Sequence, residues 1–407
     1  LVVGAYKYAS SDDGRVFIFY GDGQIPTASG SADVTIGDSG TSNYFGRSLV
    51  TGDFNADGKT DLAVGSDGYS TQTGRVYIFY GDGSIPTTAG TADVTITGET
   101  TSNYFGYALA AGDFNADGET DLAVGAYGYS SSTGRAYIFY NDGSIPTTAG
   151  TADVTITGTT AADSFGYALV AGDFNTDGRI DLVSSAPYRS YFGYDNGVVY
   201  IFYNDGSIPT TAATADAFVF ESSEYFLGLY LAAADLNADG RTDLIASALY
   251  QFGNVSANIY YNDGSYGQED TIINVGSGDL SSNPAVGDFN ADGRTDIAIS
   301  LVSYSSNTGR VYIFYNDGSL PTTDITADVT ITGETTSNNF GYALAAGDMN
   351  GDGRVDLIVG AKDYSSSTGR VYIYETRENF AWQIQKQPQP GSGALRTGLN
   401  TSGQELK

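Results

Sequence analysis

Residues 52–65 read GDFNADGKTDLAVG, and three carboxylates, Asp53, Asp57 and Asp61, fall within nine of them, with Asn55 between the first two. The form is D-x-N-x-D-G-x-x-D. Side-chain oxygens at positions 1, 3, 5 and 9, joined by a backbone carbonyl at position 7 (Lys59), are the ligands a hard divalent cation takes, and Gly58 permits the sharp turn. The stretch resembles the front of an EF-hand loop, but its closing acid is Asp at 9 rather than Glu at 12, and its flanks read as strands. It recurs five more times: as Asp113, Asn115, Asp117, Glu119 and Asp121, then as Asp173, Asn175, Asp177, Arg179 and Asp181. The later copies are Asp235, Asn237, Asp239, Arg241 and Asp243; Asp288, Asn290, Asp292, Arg294 and Asp296; and Asp348, Asn350, Asp352, Arg354 and Asp356. A single copy would serve equally as an Asx-rich turn that caps its own amides. Six copies that keep all four side-chain ligands point to about six calcium ions per chain, because calcium tolerates flexible oxygen-only loops where magnesium demands strict octahedral geometry.

The elements that carry these loops form an internal repeat. The leading Asp returns at intervals of 60, 60, 62, 53 and 60 residues. Each unit continues into an apolar strand (residues 122–124), a Ser/Thr/Gly turn (130–134), a strand RAYIFY (135–140), a turn NDGSIPTTAG and a strand ADVTITG. A segment FGYALAAG then leads into the next acidic loop. Short runs rich in Val, Ile, Tyr, Phe and Thr, bounded by Gly, Pro, Asn and Asp and without helical periodicity, predict an antiparallel meander of four strands per unit. The strand pair LAVG…VYIFY occurs seven times, from Leu1, Leu62, Leu122, Leu182, Leu244, Ile297 and Leu357. Units of this kind cannot bury both faces alone. Radial stacking leaves only short, protected edges, so the expected fold is all-β, a seven-bladed β-propeller of four-stranded antiparallel blades with calcium-binding hairpin loops. The propeller is expected over residues 1–375, with 376–407 as a C-terminal tail.

Composition narrows the function. The 407 residues carry 48 acidic against 18 basic side chains, a formal charge of −30, which argues against nucleic acid or an anionic membrane surface as partner. There is no cysteine and no histidine, so thiol and disulfide chemistry and the commonest general base are missing. No apolar run approaches the length of a membrane span. Leu1 does not begin a signal peptide, and LVVGAYKY starts in mid-pattern, as a mature or truncated chain would. No nucleophile–base pair is evident and each carboxylate cluster is accounted for as a metal loop, so the chain is expected not to be an enzyme.

Phe105-Gly106 followed by GDFNADGETDLAVGA at 112–126 resembles the FG-GAP repeat of integrin α-subunit propellers and related bacterial and archaeal surface proteins. The resemblance covers residues 1–375. It implies a seven-bladed propeller with calcium in the hairpin between the first two strands of a blade, held by Asp113, Asn115, Asp117 and Asp121 and their counterparts in the other five loops. It brings neither an integrin's partner subunit nor its ligand. The Phe-Gly pair is interrupted as Phe226-Leu227-Gly228 and is absent before Asp288, which marks the 53-residue unit as the least regular.

Alternate connections of a meander share a face, so the turns opposite the acidic loops, rich in Tyr, Ser, Thr and Asn, are the expected recognition surface for a protein or a glycan. One loop is longer than its counterparts: APYRSYFGYDNG, 186–197, with Tyr188, Arg189, Tyr191, Phe192 and Tyr194 as candidate partner-binding residues. Tyr225, Phe226, Tyr250 and Phe252 stand in nearby units. Inter-blade packing is the competing reading of these aromatics. The tail stretch ALRTGLNTSGQEL, 394–406, can be laid against an inner strand and a decayed loop, or read as a linker after QKQPQPGSG. Two functions are therefore expected: an extracellular or cell-surface recognition module, or a structural subunit of a surface layer or filament in which copies of the chain are the partners.

Overall fold

A computed structural model describes residues 1–376 except 9–11, 22–24, 27, 192–193, 223, 251–252, 265, 267–268 and 280–282, together with 383–384. The tail stretch 394–406 lies outside the described residues, as do Phe192 and Phe252. The protein is all-β, a seven-bladed β-propeller with one antiparallel sheet per repeat. It divides into two compact units, one of Leu1–Phe19, Ala32–Leu229 and Asn262–Gln268, the other of Tyr20–Ser31, Tyr230–Tyr261 and the described part of Glu269–Lys407.

Blade 3, in the first unit, shows how sequence makes a blade. Its strands are Ala108–Gly112, Asp121–Ala126, Arg135–Phe139 and Val154–Thr157, hydrogen-bonded in that order. The acidic loop joins the first two, closing the pair with Gly112 opposite Asp121. Every side chain of Asp121–Ala126 is buried. A strand covered on both faces explains why the repeat reads there as an unbroken small and apolar run rather than an alternation. The cover comes from adjoining blades: Phe54, Ala63, Val76, Ile78 and Phe105 form one cluster with Leu122, Val124, Tyr137 and Phe139, and Ala123, Ile138 and Ile156 form the next with Leu182 and Phe202.

The Phe-Gly pair is the hinge of this packing. Phe105 is fully buried, its ring edge-on to Tyr137 at 5.3 Å and to Phe139 at 6.1 Å. Its backbone lies against Gly74, where a Cβ would stand 2.1 Å from the Phe105 carbonyl oxygen, so only glycine fits there. The apparent interruption at Phe226-Leu227-Gly228 resolves in register: Leu227 is fully buried, as Phe105 is, and Gly228 has φ +87 like Gly106. Leucine replaces the phenylalanine and Phe226 takes the place of Tyr104. The pair is not broken.

Blade 1 has three strands, Val2–Ala5, Arg15–Ile18 and Val34–Gly37, and blade 2 has Leu49–Gly52, Asp61–Ser66, Arg75–Phe79 and Val94–Thr97. Blade 4, Leu169–Gly172, Asp181–Ala186, Val198–Phe202 and Ala217–Val219, adds a small hairpin of Ser190–Tyr191 and Tyr194–Asp195.

In the second unit, the 53-residue interval belongs to blade 5, whose longer strands Asp243–Tyr250, Asn254–Tyr260 and Thr271–Ser277 slip register between Asn254 and Ser256. Blade 6 starts with only three residues, Ala285–Gly287, in keeping with the missing Phe-Gly pair. Its buried Phe289, Val311 and Ile313 pack with Leu357, Val359 and Tyr372 of blade 7, whose first three strands are Phe340–Gly347, Asp356–Ala361 and Arg370–Glu375. The last sheet takes its fourth strand from Gln383–Ile384, within the segment expected as tail.

Candidate metal loops and recognition surface

Each acidic loop is a network of carboxylates on backbone amides. In the blade 3 loop, the amides of Asp117 and Gly118 donate to Asp113 Oδ1 and Oδ2 at 3.1 and 2.9 Å. The Asp117 amide also donates to Asn115 Oδ1 at 2.9 Å, and the Glu119 amide to Asp117 Oδ1 at 2.8 Å. The closing Asp121 is fully buried. Its two oxygens accept from the amides of Phe114 and Asn141, both at 2.8 Å. The same bonds recur about Asp53 and Asp61, Asp173 and Asp181, and Asp288 and Asp296. They recur about Asp235 and about Asp348 and Asp356, with Leu236 and Met349 supplying the amides to Asp243 and Asp356.

The donor chemistry fits a hard cation: only oxygens, three carboxylates per loop and a glycine turn. The side chains nevertheless stand in the Asx-turn arrangement, and among the described residues no three acidic groups gather closely enough to hold a metal ion. The electrostatics of the loops point the other way. Burial, with Asp117 and Asp113 adding to it, pushes Asp121 up to about 6 against the pull of two backbone N–H donors. Asp181 and Asp296 rise to about 6 for the same reasons, and Asp61 and Asp356 are raised too. These hairpins hold more negative charge than their amides neutralise.

Sequence reading missed a side chain that joins successive loops. Asn141 is 2% exposed. Its backbone amide serves Asp121, while its side-chain Nδ2 donates to the Asp53 carbonyl of the preceding loop at 3.5 Å. In the second unit, Asn316 serves Asp296 at 2.8 Å and reaches the Leu236 carbonyl, and Thr376 serves Asp356 at 3.0 Å and the Phe289 carbonyl at 3.4 Å. The signal was the Asn of the YND turn, which repeats in step with the loops.

The long loop of blade 4 lies on the turns away from these hairpins. Tyr188 is 36% exposed, with its ring edge-on to Tyr167 at 5.9 Å and Phe226 at 5.4 Å. Tyr194 is 58% exposed and meets Tyr225 at 5.8 Å. Arg189 Nη1 donates to Asp163 Oδ2 at 2.6 Å and to Thr159 Oγ1 at 2.9 Å, and it also meets the Thr160 hydroxyl. Ser190 Oγ donates to Asp195 Oδ1 at 2.6 Å. Tyr191 joins the hairpin through its backbone opposite Tyr194. The structure thus brings Tyr188, Arg189 and Tyr194 together with two acids, Asp163 and Asp195, that sequence reading did not single out. Asp163 stands where blades 2 and 3 carry Asn43 and Asn103, a change visible once the repeats are aligned.

The repeats have counterparts in known proteins. The FG-GAP repeat matches residues 45–79, 105–139 and 340–374, and the FG-GAP-like repeat matches 173–246 and 235–299. Phosphatidylinositol-glycan-specific phospholipase D of Bos taurus is 32% identical over 221 residues, 50% of this chain and 26% of that protein. Its counterpart in Rattus norvegicus is 37% identical over 171 residues, 38% of this chain and 20% of that protein. Integrin alpha-PS2 of Drosophila melanogaster is 33% identical over 192 residues, 45% of this chain and 13% of that protein. The chain spans about a quarter or less of the length of these relatives. The expectation that the chain is not an enzyme is corrected here, because relatives of this identity bear the name of an enzyme. A missing nucleophile–base pair describes only repeats that align with a fifth to a quarter of those proteins. No helix among the described residues is long and apolar enough to cross a membrane.

Proposed function

The chain belongs to the FG-GAP repeat proteins, and from that membership we propose that it is an extracellular, calcium-stabilised recognition module. FG-GAP propellers of the integrin type commonly bind calcium. In this reading Asp113, Asn115, Asp117 and Asp121 hold the ion with the Glu119 carbonyl, and the matching residues of the other five loops do the same. The propeller takes in residues 1–375, and its partner is a protein or a glycan met by the turns away from the acidic loops. The observation that carries the reading is the closing aspartate, buried in each of the six loops and, at Asp61, Asp121, Asp181, Asp296 and Asp356, raised by burial and by two neighbouring carboxylates. A divalent ion among those oxygens offsets both the burial and the repulsion, and the charge it neutralises holds the hairpin shut. Elemental analysis after dialysis against calcium-free buffer tests it: about six calcium ions per chain are expected from the six loops, and retention of none or one overturns the reading.

A further inference from the structure

We propose that the cleft beside the blade 4 hairpin is a binding site for one neutral sugar ring of a glycan, a reading that rests on the recognition role above. The cleft has a volume of about 450 Å³ and is lined by Thr160, Asp163, Tyr188, Arg189, Ser190 and Asp195, with two alanines. Three changes in register set it apart from the regular blades. Where blade 2 has Gly68 and Tyr69, blade 4 has Tyr188 and Arg189, and where blade 2 has Asn43 it has Asp163. In blade 2 the Arg75 guanidinium covers Tyr69 at 3.7 Å. In blade 4 the residues at the Tyr69 and Arg75 positions are Arg189 and Val198, so that covered tyrosine is replaced, and the aromatic ring of the cleft is Tyr188 at the Gly68 position. The equivalent cleft of blade 2, lined by 40–43 and 68–72, contains no charged side chain.

The lining chemistry selects the ligand. Tyr188, held edge-on by Tyr167 and Phe226, offers an aromatic surface to the C–H face of a pyranose. Around it stand two hydroxyls and two carboxylates, groups that pair with adjacent ligand hydroxyls as donors and acceptors. Arg189 is locked to Asp163, which is itself nearly buried, so the polar floor is fixed before a ligand arrives. The size is that of a small-molecule site rather than a peptide groove. Two acids against one arginine leave the cleft net negative on a chain of formal charge −30, which disfavours sialylated or sulfated sugars. A cationic peptide is the rival ligand; the arginine in the floor and the Ser190 bond to Asp195 speak against it.

Saturation-transfer NMR on the calcium-loaded chain tests the site. The probes are methyl glycosides of glucose, galactose, mannose and N-acetylglucosamine, with N-acetylneuraminic acid and an arginine tripeptide as comparators. Transfer to at least one neutral glycoside is expected. Affinity should fall about tenfold or more in Tyr188→Ala and in Asp195→Asn, as for a central contact, and should be unchanged in Tyr69→Ala of blade 2. Melting temperature checks that each variant is folded, and Asp195→Asn keeps the test open if Tyr188→Ala is not. Transfer to no neutral glycoside, transfer undiminished in both variants, or transfer to the arginine peptide alone overturns the site. Wild type and both variants are also passed over immobilised mixed glycans and surface proteins. Equal retention of all three overturns the site while leaving recognition standing; retention of none removes the recognition reading as well.

Discussion

Single residues carry strain and charge that spacing alone does not reveal. The fourth position of the acidic loop lies in the left-handed region: Ala116 has φ 62, Ala238 φ 59 and Ala291 φ 61, and the last loop has Gly351 at φ 75. Alanine there costs about 1 kcal/mol that glycine does not. Ala116→Gly should therefore raise the unfolding free energy, and Gly351→Ala should lower it by about 1 kcal/mol, both read by chemical denaturation. A second case is Asp67, fully buried with Arg47 Nη1 3.5 Å from its Oδ2. Burial pushes Asp67 up to about 6 despite that arginine. The native state then binds a proton that the unfolded chain gives up nearer the ordinary value of about 4, so this group favours folding less as pH rises from about 4 to 6. Asp67→Asn should flatten the decline of stability across that window by roughly 3 kcal/mol, measured by urea unfolding at a series of pH values. The acidic loops were legible because their spacing is local. Arg47 and Asp67 were not, since they meet only when a strand pair brings them together.

At the scale of elements, the hairpins are joined to one another. Asn141 ties the Asp121 carboxylate of its own blade to the Asp53 carbonyl of the preceding one. Asn141→Ala should cost about 1 kcal/mol, because it strips a long bond from a half-buried carbonyl, whereas Asp117→Ala removes one exposed ligand and should leave the chain folded with about one calcium fewer. Denaturation and metal analysis of the two variants separate these effects, and unfolding of the Asp117 variant would show that the loops stand or fall together. The strands themselves were readable from their turn residues and apolar runs. What misled was reading the Phe-Gly pair as letters: in Leu227-Gly228 the buried apolar volume and the positive φ persist although the phenylalanine does not. The last fourth strand, Gln383–Ile384, is two residues long and leaves no periodicity to read.

Across the whole molecule, charge outweighs every other feature of the composition. The six loops supply 18 aspartate carboxylates among the 48 acidic residues, and the six calcium ions proposed for them would bring twelve positive charges, from −30 to −18. Repeats told the number of blades, because every one of them writes its strand pair anew; a partner leaves no such mark, since a binding surface is assembled from turns that depart from the repeat. Sedimentation across a concentration series at fixed calcium separates the recognition module, which stays at one size, from a self-assembling subunit, which grows. Calcium itself is tested most directly by the melting temperature of the metal-depleted chain as calcium is returned. Binding to the native loops alone stabilises by about 2.7 kcal/mol per site at a hundredfold excess over Kd, so the melting temperature should climb steeply with calcium and keep climbing, with magnesium far less effective. A melting temperature that is the same in chelator and in calcium contradicts the account.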